Sequence, residues 1–219
     1  MNLLSSASIF SFFTIISRIL GYLRDILIAI FLGASIFADA FFVAFRLPNT
    51  FRRLFSEGTF NAAFIPSYTS AKIKNKNSGK AFADDVLSFL FLTLTFIVTL
   101  AEIFTPFLVY LIAPGFISDD IKFNLAIEFT RITFPFLLFV SLSSFFSGIL
   151  NSYNKFAAAA AAPIILNIVL IISIFISYLK DLNVAKQLSY GVTIAGILQL
   201  IYLIYFTLKF YKPKIKLKL

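Results

Sequence analysis

Arg18, Arg24, Arg46, Arg52 and Arg53, five of the chain's six arginines, fall within the first 53 residues, a stretch with no lysine. All 13 lysines lie at or after Lys72. An arginine stays ionised in nearly any environment and presents a planar fork suited to carboxylate or phosphate, whereas lysine serves as a flexible, solvated charge. The arginines are therefore candidates for holding an anionic ligand, and the lysines for setting topology. Asp25, Asp39 and Glu57 accompany the arginines, so five positive charges stand among three negative ones, a local excess of +2.

Other chemistry is thinly represented. The chain has no Cys, His or Trp, which removes thiolate nucleophiles, imidazole bases and conventional zinc or haem sites and leaves Asp and Glu as acid-base groups. Asp84-Asp85 and Asp119-Asp120 resemble the paired carboxylates of magnesium-dependent prenyl-phosphate enzymes. Each pair stands at an expected helix start, however, where acids cap the helix dipole, and capping is the favoured reading. No metal site and no cofactor are expected, and there is no G-x-x-x-x-G-K-[ST] run for ATP.

The elements that must position the arginines are membrane helices. At 60% hydrophobic and 13% charged residues, with a mean hydropathy of +0.94, the chain is too apolar for a soluble globular domain. A helix needs about 20 mainly apolar residues to cross a bilayer. Six such stretches stand out, at 6–32, 38–66, 84–112, 122–150, 158–178 and 185–208. The short alternating segments of a β-barrel are missing. The expected fold is all-α and polytopic, with a six-helix lobe over 1–210 and a basic tail or the start of a linker over 211–219. The first span is read as a retained helix, because Met1-Asn-Leu-Leu lacks a positive n-region and Arg18, Arg24 and Asp25 interrupt the apolar run.

Lysine positions orient the bundle. With the N-terminus inside, ten lysines fall in inside loops and the tail, against Lys122, Lys180 and Lys186 outside. The positive-inside rule then puts both termini of this multi-pass chain in the cytoplasm. The net charge of +9 is mostly topological, and without a soluble basic surface no nucleic-acid partner is expected.

A charge near the bilayer centre costs at least about 2.5 to 3.5 kcal/mol, so charges persist there by facing a polar cavity or pairing. Arg18 lies near the middle of the first span. Arg46, Arg53 and Glu57 also admit a structural reading, as interfacial snorkelling or an Arg53–Glu57 pair one turn apart. At about 100° per residue, Arg18 shares a face with Asp25, and Asp39 with Arg46 and Arg53, while Arg52 points elsewhere. Pro48 permits a kink that would bring Asn49 and Arg52 to a shared cavity, and Gly21 and Gly33 could loosen the first span. Glu128 and Arg131 are expected to pair near the outer interface, and Glu102 to be solvated at the outer end of the third span.

The run Asp39-Ala-Phe-Phe-Val-Ala-Phe-Arg46-Leu-Pro48-Asn49-Thr-Phe-Arg52-Arg53-Leu-Phe-Ser-Glu57-Gly58, followed by Ala63-Phe-Ile-Pro66, resembles the signature of the MurJ (MviN) lipid II flippases. Ser17-Arg18-Ile-Leu-Gly21-Tyr-Leu-Arg24-Asp25, Ile132-Thr-Phe-Pro135, Leu150-Asn151-Ser-Tyr and Pro163 to Asn167 are similar to the same family, from Met1 to about Lys209. The resemblance implies one lobe of the MATE-like exporter fold, and a carrier of the lipid-linked peptidoglycan precursor from the inner to the outer leaflet by alternating access. It also implies a cationic central cavity whose substrate-binding residues match Arg18, Arg24, Asp39, Asn49 and Arg52, with Asp39 holding an arginine ready. Asp25, with Arg53 and Glu57, is carried as a gate or structural ion pair. Moving two negative charges outward across about 100 mV releases roughly 4 to 5 kcal/mol, so no ATP site is required.

There are departures. Ala159, Ala161 and Tyr205 stand where the family often has Pro, an aromatic and Pro. The family has about fourteen spans in two lobes, and the expected partners are therefore membrane lipids, the lipid-linked diphosphate substrate, and a second lobe or a second copy of the chain. The alternatives are an exporter of small cations or drugs on the same fold, which the excess of positive charge disfavours, a prenyl-phosphate enzyme using the aspartate pairs, and an inactive truncated remnant.

Overall fold

The computed structural model describes residues 3–56 and 59–216, the side chains of 3–7, 47, 51–56, 59 and 76 excepted. Its helices are α1 (Leu3–Leu32), α2 (Ile36–Ser56), α3 (Thr59–Lys74), α4 (Lys76–Ile103), α5 (Thr105–Ile112), α6 (Asp120–Thr133), α7 (Phe136–Ser152), α8 (Phe156–Leu179) and α9 (Val184–Thr207), with a 3-10 turn at Pro114–Ser118. No strand occurs among the described residues. The fold is all-α, as expected.

The six expected spans correspond to one or two helices each. Proline explains two of the breaks. Pro106, in the first turn of α5, cannot donate to the Glu102 carbonyl; the Thr105 hydroxyl donates there instead, at 2.9 Å, and to the Ala101 carbonyl at 2.8 Å. Pro135 separates α6 from α7 in the same way. Pro48 lies inside α2 without ending it. The carbonyl it leaves without a helical donor, Ala44, accepts a hydrogen bond from the buried Thr133 hydroxyl of α6 at 3.1 Å. A packed neighbour thus completes the helix where the backbone cannot.

Among the described residues, four helical stretches are long and apolar enough to cross a membrane, Asn77–Ile103, Asp120–Ser152, Phe156–Leu179 and Val184–Thr207. The arginine-bearing α1 and α2 stand outside that set, so the sixfold count holds only as an outline. α8 packs between α1 and α9, α7 lies on α9, and α2 runs along α6. One core joins Phe41, Phe129, Phe136, Leu170, Ile174 and Leu188; a second joins Phe64, Phe145, Ile149 and Leu150. Small residues allow the close approaches, as helix packing in lipid requires. A Cβ added at Gly148 of α7 would lie 2.6 Å from Asn61 Oδ1 of α3. Large apolar side chains such as Ile19, Tyr22, Ile30 and Phe96 are exposed, an outer surface suited to acyl chains and not to water.

Candidate functional site

Arg24 is held from two sides. Its Nε and one terminal nitrogen donate to Asp25 Oδ1 at 2.9 and 2.7 Å, and the other terminal nitrogen donates to Asn167 Oδ1 of α8 at 2.8 Å. Asn167 is itself fixed, donating through Nδ2 to the Ser17 carbonyl of α1 at 2.8 Å. Gly21 of α1 faces it, and a Cβ added there would meet Asn167 Nδ2 at an ordinary contact distance of 3.6 Å. The guanidinium is mostly buried and Asp25 largely exposed, so one face of the ion pair opens to a ligand.

Arg18, about two turns earlier on α1, is exposed and makes no ion pair among the described residues. It lines a cleft of about 420 Å³ between α1, α3, α7 and α8, whose polar wall includes Ser17, Asn61, Ser144, Ser147 and Asn151. The Oδ1 atoms of Asn61 and Asn151 are buried without a hydrogen-bond partner among the described residues. Buried amide oxygens left unpaired are uncommon, and they mark the cleft as built for a polar guest. The cleft combines a guanidinium with amides and hydroxyls, a set that fits a phosphate or sugar head group.

Arg24, Asp39 and Asn49 are not among the residues that line this cleft. Asp39, in the first turn of α2, is exposed and pairs with Lys122 Nζ at 2.5 Å, and that ammonium also lies 4.5 Å from the Phe116 ring centroid. Its partner is thus a lysine from α6 and not an arginine. Asn49 is half-buried on α2, after the buried Pro48. Arg46 is exposed. Arg52 and Arg53 belong to the last turns of α2, but their side chains, and Glu57 entirely, lie outside the described residues.

Three readings of carboxylates are corrected. Asp84 and Asp85 do not cap a helix, because α4 begins earlier, at Lys76, with Asn75 as its N-cap accepting from the Asn77 amide at 3.0 Å. Asp84 is instead buried and accepts from the Tyr211 hydroxyl at 2.5 Å and the Lys214 amide at 3.1 Å, while Asp85 pairs with Lys216. The two carboxylates therefore serve separate partners. Glu128 pairs with Lys186 of α9 at 2.7 Å, not with Arg131 one turn along its own helix, because the start of α9 is packed beside it. Asp119 does cap α6, accepting from the Ile121 and Lys122 amides. Glu102 Oε1 is buried without a hydrogen-bond partner among the described residues, where interfacial solvation was expected.

Asn61, Asn151 and Asn167 were not singled out as site residues from sequence. Their signal was available in kind: an amide inside an apolar span, like a charge, requires a partner or a cavity.

A sequence profile described as "Lipid II flippase MurJ" matches residues 28–218. The "Probable lipid II flippase MurJ" of Buchnera aphidicola subsp. Acyrthosiphon pisum (strain APS) is 43% identical over 211 residues, covering 95% of this chain and 41% of that protein. Its counterpart from Rickettsia prowazekii (strain Madrid E) is 42% identical over 205 residues, 93% of this chain and 40% of that protein. A solved structure titled "Lipid II flippase MurJ, inward closed conformation" superposes with a TM-score of 0.81 at 31% identity, covering 95% of this chain and 43% of the other. The chain thus spans about two fifths of the length of these relatives.

Proposed function

The chain belongs to the MurJ lipid II flippase family, and on that premise we propose that it supplies one lobe of a carrier that moves the lipid-linked peptidoglycan precursor from the inner to the outer leaflet. The observation that carries the reading is the Arg24 guanidinium, held between Asp25 and Asn167 a short way along α1 from the open, unpaired Arg18. A diphosphate bridging two guanidinium groups is the ligand such a pair would suit. Asp39, Asn49 and Arg52 are proposed as further head-group contacts, and Asp25 as the acid that releases Arg24 when phosphate arrives. Asp25 carries one negative charge and a diphosphate about two, so the ligand competes favourably for the same fork. Arg53 and Glu57 are proposed as a structural pair.

In this reading residues 1–210 form the helical lobe, residues 211–219 are a basic tail whose first part lies along α4, and both termini face the cytoplasm. Alternating access needs an opposing wall, supplied by a second lobe or by a second copy of the chain. The deciding experiment is binding of lipid II to the chain in nanodiscs, by native mass spectrometry or a pull-down, followed by translocation in proteoliposomes that supply the opposing lobe. Arg18→Ala, Arg24→Ala and Arg52→Ala are each expected to weaken binding at least tenfold, since a hydrogen bond to a charged group is worth about 1.5 to 3 kcal/mol. Undiminished binding and transport in all three variants would reject the assignment.

A further inference from the structure

Away from the arginine cleft, the turn between α3 and α4, the turn between α7 and α8, and the segment after α9 converge on a second cavity of about 340 Å³. Lys72, Lys80 and Lys212 line it, together with Tyr68, Tyr153 and Tyr211. It shares no lining residue with the cleft at Arg18.

The lysines are placed by packing. Gly79 at the start of α4 sits so close to α3 that an added Cβ would lie 2.8 Å from the Lys72 Cα, which brings Lys72 and Lys80 to one rim. The segment after α9 is tied down by hydrogen bonds to α4, from the Tyr211 hydroxyl and Lys214 amide to Asp84 and from the Lys216 amide to Ser88. That anchoring sets Lys212 on the opposite rim. Lys72 Nζ stands 3.7 Å from the Tyr153 ring centroid and 5.8 Å from that of Tyr68, and Tyr153 stacks on Phe210 at 4.9 Å.

The electrostatics are uncompensated. Asp84 is taken up by Tyr211 and Lys214, and Asp85 by Lys216. Lys72, Lys80 and Lys212 make no ion pair among the described residues. Three ammonium groups around one recess raise the local potential for an anion, and lysine is a point-charge binder of phosphate. Tyrosines beside them are the side chains that settle at head-group depth.

We propose that this recess is a binding site for a phosphate-bearing anion, whether a phospholipid head group or a soluble phosphate, separate from the arginine cleft and independent of the reading given to that cleft. The test is calorimetric titration of the full chain, in neutral maltoside micelles, with dihexanoyl phosphatidylglycerol and, separately, with inorganic phosphate. The double variant K72Q/K212Q is expected to bind at least tenfold more weakly, while Lys180→Gln, at the far end of α8, leaves binding unchanged. Lysine-dependent binding of phosphatidylglycerol alone assigns a lipid head group, of phosphate alone a soluble anion, and of both the phosphate group itself. Failure of both probes to bind the unaltered chain, or undiminished binding to K72Q/K212Q, overturns the proposal. Should that double variant lose helicity by circular dichroism, K80Q/K212Q, altered at two exposed lysines, takes its place with the same outcomes.

Discussion

Arg24 and Arg18 sit on the same helix under opposite constraints, and the difference is testable side chain by side chain. Arg24 is pre-aimed by Asn167, so removing the amide should cost binding without removing any charge. Asn167→Ala in the nanodisc assay is expected to weaken lipid II binding about fivefold, the equivalent of about 1 kcal/mol for one hydrogen bond, and to leave net charge untouched. Arg24→Lys keeps the charge but loses the fork, and is expected to weaken binding further than Asn167→Ala does. Equal affinity for Arg24→Lys and the unaltered chain would mean that only charge matters at this position. At this scale the sequence was partly legible. Arginines interrupting an apolar run announce a cavity on energetic grounds alone, because an unpaired charge in lipid is too costly to persist. What holds Arg24 was not legible, since Asn167 lies 143 residues away and no local rule links the two. Asp39 shows the same limit: it stands out in the sequence as an acid in the arginine-rich region, but its partner Lys122 comes from another helix.

At the scale of helices, the structure turns on how proline and glycine are accommodated. Thr133 completes the carbonyl that Pro48 strands in α2, so Thr133→Val, nearly the same in shape, should leave the Ala44 oxygen unpaired. A loss of about 1 to 3 kcal/mol is expected in a detergent unfolding titration, and Thr133→Ser, which keeps the hydroxyl, should recover most of it. Gly79→Ala tests the α3–α4 turn in the opposite sense, by adding an atom. Because the nearest neighbour is the Lys72 backbone and not a flexible side-chain tip, the helices must part, at a cost of about 1 to 3 kcal/mol seen in the same titration. Hydropathy made the apolar stretches legible, but the breaks at Pro106 and Pro135 fall inside stretches read as single spans. The true start of α4 was missed because Asn75, its cap, lies in a lysine-rich run that reads as loop. With α4 beginning eight residues before Asp84, that carboxylate changes from a cap into a buried anchor for the segment after α9. Burial and the hydrogen bond to Asp84 push the Tyr211 hydroxyl well above the ordinary phenol range. A raised value in the fold means the contribution is complete below the unfolded pKa of about 10 and is lost only as pH climbs through the raised one. Protection of the Lys214 and Lys216 amides from hydrogen exchange, corrected for the intrinsic rate, should accordingly stay constant between about pH 6 and about pH 9, and should fall in Tyr211→Phe.

For the molecule as a whole, the proposed orientation rests on the uneven division of lysines along the sequence, ten in the loops and tail expected on one side and three on the other. Packing agrees that the first group shares an end, since the α3–α4 turn, the α7–α8 turn and the segment after α9 all border the lysine-lined recess. Which end faces the cytoplasm is then a question of charge and membrane potential, and the positive-inside rule assigns it to the lysine-rich end. The chain is suited to a direct check, because it contains no cysteine to mask. Ser78→Cys places a thiol on the exposed α3–α4 side, and Ser118→Cys places one in the exposed turn before α6, with little change of shape in either case. In intact spheroplasts a membrane-impermeant maleimide should label Ser118→Cys and leave Ser78→Cys unmodified until the membrane is permeabilised. The reverse pattern would invert the bundle. It would also put Asn151, Ala159 and Ala160, the cleft residues beside the α7–α8 turn, toward the outer side, away from the leaflet from which the proposed carrier loads its cargo, so one labelling experiment bears on both topology and direction of transport.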